Sequence, residues 1–215
     1  MKRVFLFLGI ISFLSACQSA PEGERAQTEQ SKEAAVSTEG ETYNVDIANS
    51  KVNFYGSKPV ATHHGVFVIK DGIFQIKDGN IVSGNFNIDI NSMKIVDEGL
   101  DDDTKAKLTG HLLSEDFFAA NNFGTSKFEI TSVEVLNGDA NATHKISGNL
   151  TLKDSSQNIS FPAKISISDN KVNTVAEFVI DRTKWGLFYG NDKSLGDKFI
   201  YPEVKIALDI QSTKG

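Results

Sequence analysis

The sequence predicts an all-β fold: an antiparallel β-barrel of about eight strands with one short helical insertion. Two observations carry this. From Tyr43 onward apolar residues recur at every second position in short runs, and turn dipeptides divide the runs. One stretch near the middle departs from that period and places its apolar residues at helical spacing.

In order, Phe67 and Ile69 alternate with Val66, Val68 and Lys70, after which Asp71-Gly72 offers a hairpin turn. Phe74 and Ile76 follow, then Asp78-Gly79, then Phe86, Ile88 and Ile90. Asp-Gly suits the left-handed backbone angles of a two-residue hairpin. The second half repeats the theme with Phe128 and Ile130, Ile146, Leu150 and Leu152, Ile159 and Phe161, Ile165 and Ile167, Phe178 and Ile180, and finally Val204, Ile206, Leu208 and Ile210. Between the halves, residues 101–113 place Ala106, Leu108, His111 and Leu112 where one helix face can use them, with aspartates at the front where the helix dipole favours them.

The N-terminus is of another kind. Lys2 and Arg3 precede an apolar run over residues 4–13, which is too short to span a bilayer, and Leu14-Ser15-Ala16-Cys17 follows. The tetrapeptide resembles a bacterial lipobox, which implies cleavage before Cys17 and acylation of that residue. Cys17 is the only cysteine, so it has no disulfide partner. Two or more acyl chains, at roughly 0.8 kcal/mol per buried methylene, make a stable anchor. Residues 1–16 are then a signal peptide. Residues 17–41, the lipidated cysteine and an acidic stretch with six glutamates, read as a flexible tether spanning about 25–30 Å. Residues 42–215 form the folded domain. Gln18 behind the cysteine is not the aspartate of inner-membrane retention, so the expected location is the bacterial envelope, with the outer membrane (periplasmic face or cell surface) ahead of the inner one.

The chain carries a net charge of −6, and loss of Lys2 and Arg3 takes it to −8. An acidic protein is a poor ligand for nucleic acid and for anionic lipid, so membrane attachment rests on the anchor. Catalysis has little support: there is no Gly-x-Ser-x-Gly elbow, no His-Glu-x-x-His and no phosphate-cradling glycine loop. No cofactor is expected. Adjacent His63 and His64 face opposite sides of a strand and cannot share a metal, so no metal site is expected either.

Alternation turns Phe54, Phe67, Phe74, Phe86, Ile88, Phe128, Ile130, Phe161 and Phe178 inward. These residues carry large apolar area, and none offers a side-chain hydrogen bond. An eight-stranded barrel can be filled by such side chains, giving a structural or interaction lipoprotein, or can hold one ligand. His111 stands where it can cap a barrel end or meet a polar head. Arg182, beside Asp181 and Lys184, is expected to pair with a carboxylate such as Asp116 or Asp197, or to grip an anionic head. Trp185 is expected to plug or gate the barrel. Homodimerisation stays open.

His111-Leu112-Leu113-Ser114-Glu115-Asp116-Phe117-Phe118 followed by Phe128-Glu129-Ile130-Thr131-Ser132-Val133 resembles the YceI-like family. Gly148-Asn149-Leu150-Thr151-Leu152, Phe178-Val179-Ile180-Asp181-Arg182-Thr183-Lys184-Trp185-Gly186, Leu195-Gly196-Asp197 and the opening Tyr43-Asn44-Val45-Asp46 are similar to further family segments. The stretches 122–125 and 154–158 depart from the family pattern and read as loops. The resemblance implies a lipocalin-like barrel whose apolar tunnel binds a polyisoprenoid or fatty-acid-type amphiphile; carriage, storage or a stress response is the task expected of such a protein.

Overall fold

Alternating apolar runs can bury one face only by curling a sheet onto itself, and they do so here. The computed structural model describes residues 19–215, so the expected signal peptide and Cys17 lie outside the described residues. The strands are β1 (Gln27–Gln30), β2 (Glu41–Val45), β3 (Lys51–Lys58), β4 (Ala61–Lys77), β5 (Asn80–Ile95), β6 (Thr125–Val135), β7 (His144–Leu152), β8 (Ser155–Ile167), β9 (Lys171–Asp181) and β10 (Glu203–Lys214). Helix α1 (Asp102–Leu113) lies between β5 and β6. From β4 to β10 each strand pairs antiparallel with the next. β2 and β3 close the ring, each pairing with β10 on one side and β4 on the other. They meet those strands at successive heights and share one position, which makes a closed barrel of eight staves.

The Asp71-Gly72 dipeptide does not turn the chain. β4 runs straight through it, with a bulge between Ile69 and Asp71. The extra residue moves the inward face from odd positions (Phe67, Ile69) to even ones (Phe74, Ile76), which is what the change of parity in the sequence required. The tight turn is made at Asp78-Gly79, whose φ angles of 51° and 75° are left-handed. A further bulge, between Ile130 and Ser132, does the same in β6. Residues 154–158 are likewise not a loop: β8 begins at Ser155, and only Lys153 and Asp154 form the turn.

Helix α1 starts at Asp101, whose side chain accepts hydrogen bonds from the Thr104 amide at 2.8 Å and from the Thr104 hydroxyl at 3.0 Å. These bonds hold the Asp101 carboxyl below its ordinary pKa. Leu108 and Leu112 pack against a cluster of Phe54, Phe67, Ile90, Met93 and Ile95 at one barrel end, while Ala106 stays exposed.

Residues 24–35 are not a free tether. β8 and β9 pair only over residues 164–167 and 172–175, and nearer the helix-covered end the seam between them is filled by the N-terminal segment. Gln27–Gln30 pairs with residues 157–160 of β8, while the Val179 amide of β9 donates to the Glu24 carbonyl and Ala26 donates back to Val179. Further along, Asn149 clasps Lys32: its side-chain oxygen accepts the Lys32 amide at 3.0 Å and its NH2 donates to the Lys32 carbonyl at 2.6 Å. Asn158 donates to Asn149 and to Thr131, each at 3.0 Å. Both asparagines point away from the lumen, yet they are only 6% and 1% exposed because the strap covers them. Composition hid this strap because backbone hydrogen bonds to an unpaired strand edge hold it, with little apolar burial.

Asn149→Ala is expected to expose Arg25 and Lys32 to trypsin, to abolish amide protection over residues 24–35 and to cost about 1–3 kcal/mol. Hydrogen exchange and denaturant melts read both effects, and unchanged protection would count against the clasp.

Candidate functional site

The barrel is not filled. A cavity of about 470 Å³ runs along its axis, and all nine residues expected to line a tunnel border it: Phe54, Phe67, Phe74, Phe86, Ile88, Phe128, Ile130, Phe161 and Phe178. Glycines explain how so many phenyl rings leave space. A Cβ on Gly65 would stand 2.3 Å from the Phe54 ring, one on Gly72 2.7 Å from Phe86, and one on Gly148 2.3 Å from Phe128. Those rings lie against bare backbone of the neighbouring strand, in space that a side chain there would fill. Phe161 and Phe178 stack on each other with centroids 4.0 Å apart, along the β8–β9 seam. The glycine partners were legible as strand-interior glycines opposite or diagonal to phenylalanine, a signal that alternation alone overlooks. Gly148→Ala is expected to push Phe128 into the lumen, cost about 1–3 kcal/mol and weaken uptake of a fluorescent fatty acid several-fold. A variant with wild-type melting and uptake would contradict the close approach.

One end of the cavity is closed by packing: Tyr43, Ile165, Val172 and Ile210 are buried there, and the Tyr43 hydroxyl donates to the Asp169 carbonyl at 3.1 Å. The other end is the mouth, framed by the β3–β4 turn, α1 and the segment 182–200. The polar lining gathers there: Ser57, Lys58, His63, His111, Ser126, Arg182, Tyr189, Asp197 and Lys198. Thr174 is the exception. Its hydroxyl lies deep in the lumen and has no hydrogen-bond partner among the described residues. Thr174→Val is expected to raise stability by about 1 kcal/mol, because an unmet buried hydroxyl costs more than a methyl; a lowered melting temperature would contradict this.

At the mouth, His111 rests edge-on to Tyr189 and Phe117, with centroids 4.8 Å and 5.3 Å away, and its Nε2 is 3.2 Å from Asp116. His63 pairs with Asp97 at 2.8 Å, while His64 bonds Asn53 and stacks on Tyr55. Among the described residues no group of three His, Cys, Asp or Glu side chains could hold a metal.

Arg182 corrects an expectation. It is buried at the mouth and pairs with neither Asp116 nor Asp197; its guanidinium instead donates to four backbone carbonyls, those of Leu187, Tyr189 (2.9 Å), Ile200 (3.0 Å) and Tyr201 (3.3 Å). It also lies over the Phe117 ring at 5.7 Å. Burial lowers its pKa from the ordinary value, an effect that neighbouring Asp181 opposes. With its donors committed, Arg182 shapes the mouth loop and does not reach for a ligand head. Trp185 does not line the cavity: it is buried in the barrel's hydrophobic cluster just past the mouth end of β9, and its indole N–H donates to the Leu150 carbonyl at 2.8 Å.

Comparison with known proteins bears on this geometry. The profile of the YceI-like domain matches residues 43–212. No functionally curated protein matches the chain. Among solved structures, BcnA of Burkholderia cenocepacia is similar at 18% identity and a TM-score of 0.62, covering 78% of this chain and 98% of its own. A polyisoprenoid-binding domain from Saccharophagus degradans, implicated in plant cell wall breakdown, is similar at 16% identity and a TM-score of 0.59, covering 85% and 100%. The Campylobacter jejuni YceI protein aligns at 18% identity and a TM-score of 0.50, covering 70% and 81%. At these identities the structures speak for the fold. The family match spans most of the sequence and nearly all of the barrel, and the chain belongs to the YceI-like family.

Proposed function

We propose that this protein is an envelope lipoprotein, acylated at Cys17, that shelters the hydrocarbon tail of a long-chain amphiphile in its barrel. The observation that carries this is a lumen apolar along its length save for the Thr174 hydroxyl, with its other polar groups gathered at one open end. Such a site takes a tail inward and leaves a head at the mouth, and each buried methylene contributes roughly 0.8 kcal/mol. Lys58, Lys198 and His111 are the groups placed to meet the head. The Saccharophagus degradans neighbour is described as binding polyisoprenoid, which supports an isoprenoid or fatty tail here. The apolar segment before Cys17 supports export and anchoring, with the outer membrane favoured. The barrel then carries, stores or sequesters its lipid, without chemistry of its own.

Two measurements test this together. Labelled palmitate supplied to a bacterial host should mark the wild-type chain and not Cys17→Ser. Both chains, delipidated, should bind a fluorescent fatty acid that polyprenol displaces. A labelled chain that binds no probe would leave the anchor and remove the lipid-binding role.

A further inference from the structure

The mouth carries a surface that lipid uptake by itself does not require. Phe188, Tyr189 and Leu195 stand 58%, 44% and 44% exposed on the segment between β9 and β10 that frames the mouth. Val60 is exposed at the tip of the β3–β4 turn, next to mouth-lining Lys58. Among the described residues Phe188 is the one exposed phenylalanine. Lys184, Lys193 and Lys198 on the same segment and Lys58 at the end of β3 lie among these apolar tips, outnumbering Asp192 and Asp197 on that segment, in a chain whose net charge is −6. Aromatic tips with interleaved lysines are the composition of a surface that sits at a bilayer interface, rings at head-group depth and ammonium groups reaching back to water.

The strap gives the second, independent observation. It fixes the N-terminal segment to the mouth half of the barrel: Val179 bonds Glu24 and Ala26, Gly23 lies against the Val179 side chain, and Arg25 pairs with Glu203 at 2.9 Å. Val179 is two residues from the mouth end of β9 and eight from its other end, roughly 7 Å and 26 Å at about 3.3 Å per residue. Gly23 lies six positions after Cys17, a reach of at most about 22 Å when fully extended. An anchor at Cys17 therefore lies within reach of the plane of the mouth.

We infer that the barrel docks on the bilayer mouth-first, with Phe188, Tyr189 and Leu195 entering the interface and the strap holding the opening there. The inference rests on the proposed acylation of Cys17. It supplies a path by which a tail passes between bilayer and lumen without crossing water.

The acylated full chain is reconstituted in phosphatidylcholine vesicles, part of whose lipid carries bromine near the top of the acyl chains. Two variants report position: Phe188→Trp at the mouth, and Val135→Trp, exposed on β6 at the far end. Emission from the buried native Trp185, measured in the parent, is subtracted. The result expected is quenching of Phe188→Trp by at least half, with a blue shift, and none of Val135→Trp. A chain that floats with the vesicles but leaves Phe188→Trp unquenched, or quenches both positions equally, would overturn the docking and keep the anchor. A chain that does not float would overturn the anchor reading itself and the docking with it.

Discussion

Replacing Arg182 by methionine is expected to destabilise the barrel by about 3–5 kcal/mol, a melting shift on the order of 10 °C, and to make residues 186–200 sensitive to protease. Four carbonyls from Leu187, Tyr189, Ile200 and Tyr201 converge on one buried guanidinium. Methionine fills the volume of the stem and supplies no donor, so those carbonyls must find water or remain unmet in a mouth lined by Leu187 and Ile200. Arg182→Lys should recover only part of the loss, because one ammonium cannot reproduce a planar fork that reaches several acceptors. Guanidinium melts and limited proteolysis read the effect. A cost under about 1 kcal/mol would mean that the segment is held by its other contacts, such as the Phe199–Tyr201 rings and the Tyr201 amide bond to the Ser57 carbonyl.

The second large effect is on the lumen. Ile206 points inward from the middle of β10, is half-buried and touches both hydrophobic clusters, so its outer atoms face the open cavity. Ile206→Trp should occupy that space and weaken probe uptake at least tenfold, while stability changes by less than about 1 kcal/mol because the added ring enters a void. The combination is diagnostic. A filled core would answer the same substitution with an overpacking cost of about 1–3 kcal/mol. Phe86 is a worse position for the test, because its ring is held against Gly72 and Gly84 and a larger one would strain the wall.

The inward faces were legible because strand alternation has a period of two that does not depend on which strands pair. Phe161 and Phe178 could be placed in the lumen without knowing that they would stack. Bulges were less legible. Asp71-Gly72 has the chemistry of a turn, and only the change of inward parity from Ile69 to Phe74 showed that the chain continued with one residue to spare. The mouth was read least well, for a physical reason: a charged side chain suggests a charged partner, whereas Arg182 is satisfied by carbonyls brought together by the chain's own path. The strap over residues 24–35 escaped because its composition is that of a solvated tether. Its order comes from the open β8–β9 seam and from Asn149 and Asn158, which alternation marks only as outward and polar.

The most direct test of the central claim, an open tunnel that holds a lipid tail, is native mass spectrometry of the Cys17→Ser chain purified from bacteria without detergent, beside the same chain carrying Ile206→Trp. The tunnel account predicts one amphiphile per barrel in the first, identified on organic extraction and taken up again after delipidation, and a bare mass in the second. A first protein that is bare and stays bare when offered fatty acids and polyprenols would contradict it.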